Sequence, residues 1–221
     1  MIERGIRFDD IHSYYDLNLF LSGSKISPAI PKTNYIDLAG GDGSLDLTEA
    51  NGEVKYNDRD CEFTFTMNPS SGLTDEDFEA KKTEVSNALN GKMFKKITLD
   101  KDSEYYYTGR LSVNEYLSDR RLRQFVVTGK LKPYKHKQNE TIATYTLTET
   151  EKTVNLKNGR KTVVPEITCS DDNTKVVFGS IEILMNAGTH KYLDIQFKEG
   201  SNILKLSGSG SITFKWQEGD L

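Results

Sequence analysis

Apolar residues recur at every second position through most of the chain. In the first part the alternating sets are Ile36/Leu38, Leu45/Leu47, Val54/Tyr56, Cys61/Phe63/Phe65/Met67, Ile97/Leu99, Tyr105/Tyr107/Leu111/Val113 and Phe125/Val127. Each set is short, rich in Thr, Tyr, Phe and Val, and bounded by Gly, Asn, Asp or Ser. A period of two places such residues on one face of a strand, so the pattern predicts half-buried strands in an antiparallel sheet or barrel. The segment "LDKDSEYYY" reads as a hairpin, a polar turn between two alternating strands. One stretch breaks the period. "LTDEDFEAKKTEVSNALNGK" predicts a helix over about 74–90, with Thr74 as N-cap and Asp75, Glu76 and Asp77 placed where a helix N-terminus favours negative charge. Phe78, Val85, Ala88 and Leu89 fall near one face, and Asn90-Gly91 supplies the stop. A single helix with one apolar stripe must dock on a sheet. Residues 1–136 are therefore expected to form a β-barrel or sandwich with one packed helix.

The stretch "GKLKPYKHKQNET" changes the texture. Pro133 removes a backbone donor and restricts its neighbour, and the lysines and polar residues around it suit a linker. Beyond it the alternation resumes at Val154/Leu156, Val163/Ile167/Cys169, Val177, Ile181/Ile183/Met185, Leu193/Ile195/Phe197, Leu204/Leu206 and Ile212/Phe214/Trp216. Turn residues fall between them at "KNGR", "SDDN", "NAGTH", "KEGSN" and "SGSG". Short strands at even spacing predict a second, all-β domain over 137–221, a sandwich of jelly-roll type.

Charge and composition narrow the function classes. The net charge is −4 and neither half is basic, which disfavours binding driven by nucleic-acid phosphates. The local run "DRRLRQ" at 119–124 reads as a solvated face. No window approaches the roughly 18 consecutive apolar residues of a membrane helix, so membrane insertion is not expected. The opening "MIERGIRFDD" lacks the apolar core of a secretory signal. Cys61 and Cys169 lie far apart, each inside an apolar alternation, and are read as buried free thiols.

The segment "YIDLAGGDGSLDLTEANG" at 35–52 invites a ligand-binding reading. A phosphate loop needs a lysine and a following helix, and neither is present. A calcium loop needs oxygen ligands at alternate positions with a closing Glu, which Asp37, Asp42 and Asp46 do not supply. The remaining reading is a chain reversal in which Gly40, Gly41 and Gly43 adopt positive φ. Leu45 and Leu47 would then face a core or a neighbouring subunit. His12, His136 and His190 have no partner at a metal-ligand spacing, and no nucleophile motif of the Gly-x-Ser-x-Gly kind occurs. No catalytic residue, cofactor site or metal site is assigned. Trp216 continues the Ile212/Phe214 face and is expected in the core. Of Tyr105, Tyr106 and Tyr107, at least one should be buried and one displayed. Displayed tyrosines on a sandwich leave an alternative open: a carbohydrate-binding or adhesin module recognising host cell-wall sugar.

In order and spacing, these segments resemble a known family. "YIDLAGGDGSLDLTEANGEVKYNDRDCEFTF", the helix ending "NALNGK", "ITLDKDSEYYYTGRL", "KPYK" and the closing "GSNILKLSGSGSITFKWQEGDL" together are similar to the distal tail (Dit) proteins of long-tailed bacteriophages and prophages of Gram-positive bacteria. The resemblance implies a structural protein of the virion, assembled in the host cytoplasm, and not an enzyme. It implies a homo-oligomer, a hexameric ring built by the first domain at the distal end of the tail tube. It implies a galectin-like second domain that projects outward and offers a docking surface for receptor-binding or baseplate proteins. The ring would stack between the tail-tube protein and a tail-associated lysin or tail-tip protein, with DNA passing through its channel. The acidic balance agrees with a channel wall that repels phosphates. Glycine-rich strands and exposed edges lend themselves to pairing with another chain, so Tyr35, Leu38, Leu45 and Leu47 are expected at or near a subunit contact.

Overall fold

The computed structural model describes residues 5–50, 52–67, 74–118 and 122–221. The chain divides into two compact units, Met1–Lys135 with Leu221, and His136–Asp220.

The described residues of the first unit form an antiparallel sheet, a separate two-stranded pair and one α-helix. Its strands are β1 (Ile6–Phe8), β2 (Ile11–His12), β3 (Leu19–Ile26), β4 (Tyr35–Asp37), β5 (Ser44–Asp46), β6 (Arg59–Met67), β7 (Met93–Leu99), β8 (Tyr105–Ser118) and β9 (Arg123–Leu131), with α1 (Asp75–Leu89) between β6 and β7. In the main sheet they run in the order β2-β1-β7-β8-β9-β6-β3, while β4 and β5 pair only with each other. The alternation in β6 sends Cys61, Phe63, Phe65 and Met67 inward, where they meet Ile6, Phe8, Ile97, Leu111, Phe125 and Val127. Burying each such large side chain contributes roughly 1.5–3 kcal/mol.

Helix α1 begins where its residues dictate. The Thr74 hydroxyl accepts from the Asp77 N–H at 3.1 Å, and the Asp77 carboxylate accepts from the Thr74 N–H at 3.2 Å. This reciprocal cap satisfies two of the orphan donors of the first turn. Phe78, Val85 and Leu89 are buried on the sheet, with the Phe78 ring 5.4 Å from that of Phe125. Gly91, at φ +72, turns the chain away after the helix. Asn90 ties that end to the sheet, its Oδ1 accepting from the Val113 N–H at 3.1 Å where β8 shifts register. Two glycines set the closeness of β8 and β9. Leu131 lies opposite Gly109 and Leu111 opposite Gly129. A Cβ on Gly129 would sit 2.2 Å from the Arg110 carbonyl oxygen, and one on Gly109 would sit 2.4 Å from that of Lys130.

The second unit is a sandwich. After β10 (Lys135–Lys137) at the boundary come β11 (Thr141–Thr146), β12 (Lys152–Asn158), β13 (Glu166–Cys169), β14 (Thr174–Phe178), β15 (Ile181–Met185), β16 (Gly188–His190), β17 (Gly200–Ser207), β18 (Ser211–Trp216) and β19 (Gly219–Asp220). Two four-stranded sheets, β11-β18-β13-β16 and β12-β17-β14-β15, close over one core. Its largest members include Phe197, Phe214 and Trp216, the Phe197 ring lying edge-on to Trp216 at 5.2 Å. Cys169 is buried here and Cys61 in the first unit, both as free thiols, and burial pushes the Cys61 thiol up to about 12.

Several expected elements differ. Val54/Tyr56 forms no strand; Tyr56 makes an isolated bridge to Pro31 and packs its ring against Tyr134. Leu193/Ile195/Phe197 is a strap, not a strand: Leu193 is exposed, Ile195 and Phe197 are buried, and Phe197 bridges Val163. Asn158 holds the strap by donating to the Phe197 carbonyl at 3.0 Å. In β14 the buried valine is Val176, with Val177 half-buried. Strand β10 falls inside the stretch read as linker, and β11 begins at its last residue, where a half-exposed polar alternation carries little apolar signal. Strands β1, β2 and β3 were not anticipated either.

Two outcomes follow from this packing. Gly129→Ala should destabilise the chain by about 1–3 kcal/mol in denaturant titration, since the added methyl meets backbone on the neighbouring strand; an unchanged midpoint would contradict the close approach. In the second unit, burial and then the nearby Lys161 ammonium hold His136 below its ordinary 6.5. The folded state therefore binds this proton more weakly than the unfolded chain, so stability is full above about pH 6.5 and falls as pH drops through it. Thermal unfolding from about pH 7.5 to about pH 5 should show that loss, and His136→Gln should flatten it.

Candidate functional site

The glycine-rich segment forms the head of a two-stranded arm. Strands β3 and β6 continue past their last paired residues: Asn57 N–H donates to the Ile30 carbonyl at 2.9 Å, and Lys32 N–H to that of Lys55 at 2.7 Å. Strands β4 and β5 then pair as Tyr35↔Asp46, Ile36↔Leu45 and Asp37↔Ser44. At about 3.3 Å per residue, the chain from Ile30 to the tip at Gly41 can reach about 35 Å. The tip is a turn from Leu38 to Gly41, whose N–H donates back to the Leu38 carbonyl at 3.1 Å. Gly40 sits third in that turn at φ +78, and Gly43 follows at φ +76. Gly41 does not take positive φ, contrary to the sequence expectation. Its place as the fourth residue of the turn asks for a donor, not a left-handed backbone. Side chains lock the arm further. Ser44 donates to Asp37 at 2.6 Å, and the Thr48 N–H donates to Asp46 at 2.9 Å. The Thr48 hydrogen bonds hold the Asp46 carboxyl below the usual range.

The two faces of the arm differ. Ile36 stands opposite Leu45, and the period of two adds Leu38 and Leu47 to the same side. Tyr35 pairs with Asp46 on the other side, so it does not join the leucines as one patch. Ile36, Leu38 and Leu45 are 46 %, 53 % and 48 % exposed, and none of them enters the unit's core. Leu47 is half-buried. Ile36 is the member not singled out from the sequence, although it stands in the same alternation. The arm is also acidic: between Lys32 and Lys55 it carries Asp37, Asp42, Asp46, Glu49 and Glu53 and no Lys, Arg or His. A two-stranded hairpin without a third strand or a covering helix is marginal in water. An apolar stripe on such an arm is the feature expected of a surface that meets another protein.

The other features raised by the sequence lie elsewhere. Trp216 is 4 % exposed, so its face is not open to a sugar. Tyr107 is buried, the Lys135 ammonium lies 4.1 Å over the Tyr105 ring, and that of Lys96 lies 5.0 Å over Tyr106. Residues 119–121 of the basic run lie outside the described residues; Arg123 pairs with Asp75 at 2.6 Å and stacks over Phe78. His12 is buried, with Nε2 3.1 Å from an Asp100 oxygen and Nδ1 accepting from the Tyr14 and Tyr15 N–H groups. That arrangement fixes a turn. Among the described residues no three His, Cys, Asp or Glu side chains come together to hold a metal ion, and no helix is long and apolar enough to cross a membrane.

No protein-family model and no curated protein sequence matches the chain. Among solved structures it is similar to the crystal structure of SPP1 Dit (gp 19.1), described as a paradigm of the hub adsorption apparatus in Gram-positive infecting phages. The TM-score is 0.67 at 14 % identity, over 96 % of this chain and 98 % of that one. The two chains share a fold over nearly their whole lengths.

Because the arm's apolar face lies outside the core, the pair Ile36→Ser and Leu45→Ser should shift unfolding stability by less than about 0.5 kcal/mol. A loss of several kcal/mol in denaturant titration would place those residues in the chain's own core.

Proposed function

We propose that the chain is a structural component of a phage tail. Copies assemble as a hexameric ring at the distal end of the tail tube and act as a hub between the tube and the baseplate or tail tip, with DNA passing through the central channel. The observation that carries this reading is the likeness in fold to a Dit hub protein across both units at once. The partners are then the tail-tube protein on one side of the ring and a tail-associated lysin or tail-tip protein on the other. The second unit offers a docking surface for baseplate or receptor-binding proteins. The role needs no catalytic group and no cofactor. The first unit builds the ring, and its arm, through Ile36, Leu38, Leu45 and Leu47, is the contact between copies. A stripe whose Ile36, Leu38 and Leu45 stay about half exposed and outside the core supports that assignment. The carbohydrate-binding alternative draws no support from Trp216, whose ring is buried.

Light scattering and negative-stain imaging test the proposal. The expected particle has the mass of six chains and a central hole, and Leu38→Asp with Leu45→Asp returns folded monomers. A chain that stays monomeric alone up to about 100 µM, and also fails to add to the end of purified tail tubes, would overturn it.

A further inference from the structure

The second unit holds a cleft of about 330 Å³ at one end of its β11-β18-β13-β16 sheet. Lys161, Lys191, Lys215, Glu140 and Glu166 line it, with Trp216 and Gln217 beside them. Two of the lysines are already paired: Lys215 lies 2.7 Å from Glu140, and Lys191 lies 3.5 Å from Glu166. Lys161 differs. Among the described residues no carboxylate comes within ion-pair distance of its ammonium, and burial alone perturbs it.

The chain holds this lysine from both sides. Its N–H donates to the Gly219 carbonyl at 2.9 Å, and its carbonyl accepts from Asn158 Nδ2 at 2.9 Å. The same Asn158 amide is anchored to the core through the Phe197 carbonyl at 3.0 Å. The lysine stem lies along Gly219, where an added Cβ would sit 3.1 Å from Lys161 Cβ and 3.2 Å from its Cδ. Half-buried and unpaired, the ammonium loses hydration without gaining a counter-ion, so burial holds it below the ordinary lysine range. The indole N–H of Trp216 is a second donor that finds no acceptor among the described residues. An anion delivered to the cleft restores the charged lysine and gains a charge-assisted hydrogen bond.

The glutamates choose among anions. With both ion pairs counted, one positive charge remains in the cleft. That charge balances a carboxylate, whereas Glu140 and Glu166 repel the second charge of a phosphate dianion. A single such hydrogen bond holds a free carboxylate only at about millimolar affinity, so a useful ligand carries its carboxylate on a larger body. The rim offers that body a footing: Ile142, 62 % exposed, stands opposite Lys215 in the β11–β18 pair.

We propose that this cleft seats an aspartate or glutamate side chain of the protein that docks on the second unit, with Lys161 as its cation and Ile142 as the apolar footing beside it. This rests on the reading of the second unit as a docking surface and adds the place and the chemistry of the contact.

The chain's single tryptophan lines the cleft, so its indole signal in a proton–nitrogen correlation spectrum of the full chain reports occupancy. The probe is acetyl-Gly-Glu-Gly-amide, compared with its Gln counterpart and with inorganic phosphate. The Glu peptide should shift the Trp216 and Gln217 signals saturably with a Kd of about 1–10 mM, and the Gln peptide should bind at least about tenfold more weakly. Lys161→Met keeps most of the stem, removes the charge and should abolish that preference. Equal binding of the two peptides to the native chain, or an undiminished preference in Lys161→Met, would overturn the site. Tighter binding of phosphate would overturn the carboxylate assignment. Docking is read separately, by the affinity of the native and Lys161→Met chains for purified baseplate or receptor-binding protein of the same tail, where the variant should lose about tenfold or more. Equal affinity would keep the docking surface and move the contact off this cleft. A chain that takes the Glu peptide and docks neither protein would keep the carboxylate site and remove the docking reading.

Discussion

A two-stranded arm cannot cover its own apolar face. Ile36 and Leu45 sit side by side on one surface of the β4–β5 pair, and among the described residues no third strand pairs with β4 or β5. Both residues remain about half exposed, at a position where exposure costs solubility and contributes nothing to the core. The rest of the first unit is arranged so that the arm persists despite this. Its stem continues the β3/β6 ladder, Gly40 and Gly43 permit the tip, and Ser44 and Thr48 hold the carboxylates of Asp37 and Asp46 in place. The arm is therefore preformed, which lowers the ordering cost that any contact through it must overcome.

The body supplies what the arm lacks. A cap at Thr74 and a stripe of Phe78, Val85 and Leu89 fix one helix on one face of the main sheet. Exposed positions of β1, β7 and β8 include Arg7, Lys95, Lys96 and Arg110, with the Asp9 carboxylate accepting from the Lys95 and Lys96 N–H groups. The second unit is built on different terms. Its two sheets close over Phe197, Phe214 and Trp216, with Trp216 in the core as its alternation implies.

Much of this was legible in the residues. The β6 run, the capped helix, the β7–β8 hairpin and the inward Trp216 all carry long or strongly patterned signals, and local preference and tertiary packing agree there. The sequence misled where one of these was missing. Strands β1 and β2 are only three and two residues long, too short for a period to register. Strand β11 alternates threonine with Ile142, Ala143 and Tyr145 on a half-exposed edge, so its apolar signal is weak. Leu193, Ile195 and Phe197 alternate like a strand, yet Asn158 captures the Phe197 carbonyl and the segment packs as a strap. At the arm, composition located the glycine turn and the apolar residues, but only the pairing register separates Tyr35 from the leucines and adds Ile36.

Amide hydrogen exchange followed across protein concentration tests most directly whether another copy covers the arm. Exchange in residues 35–37 and 44–46 should slow markedly as concentration rises, while that of the Phe214 strand stays constant. Exchange in the arm that is the same in dilute and concentrated samples of an assembled particle would contradict it.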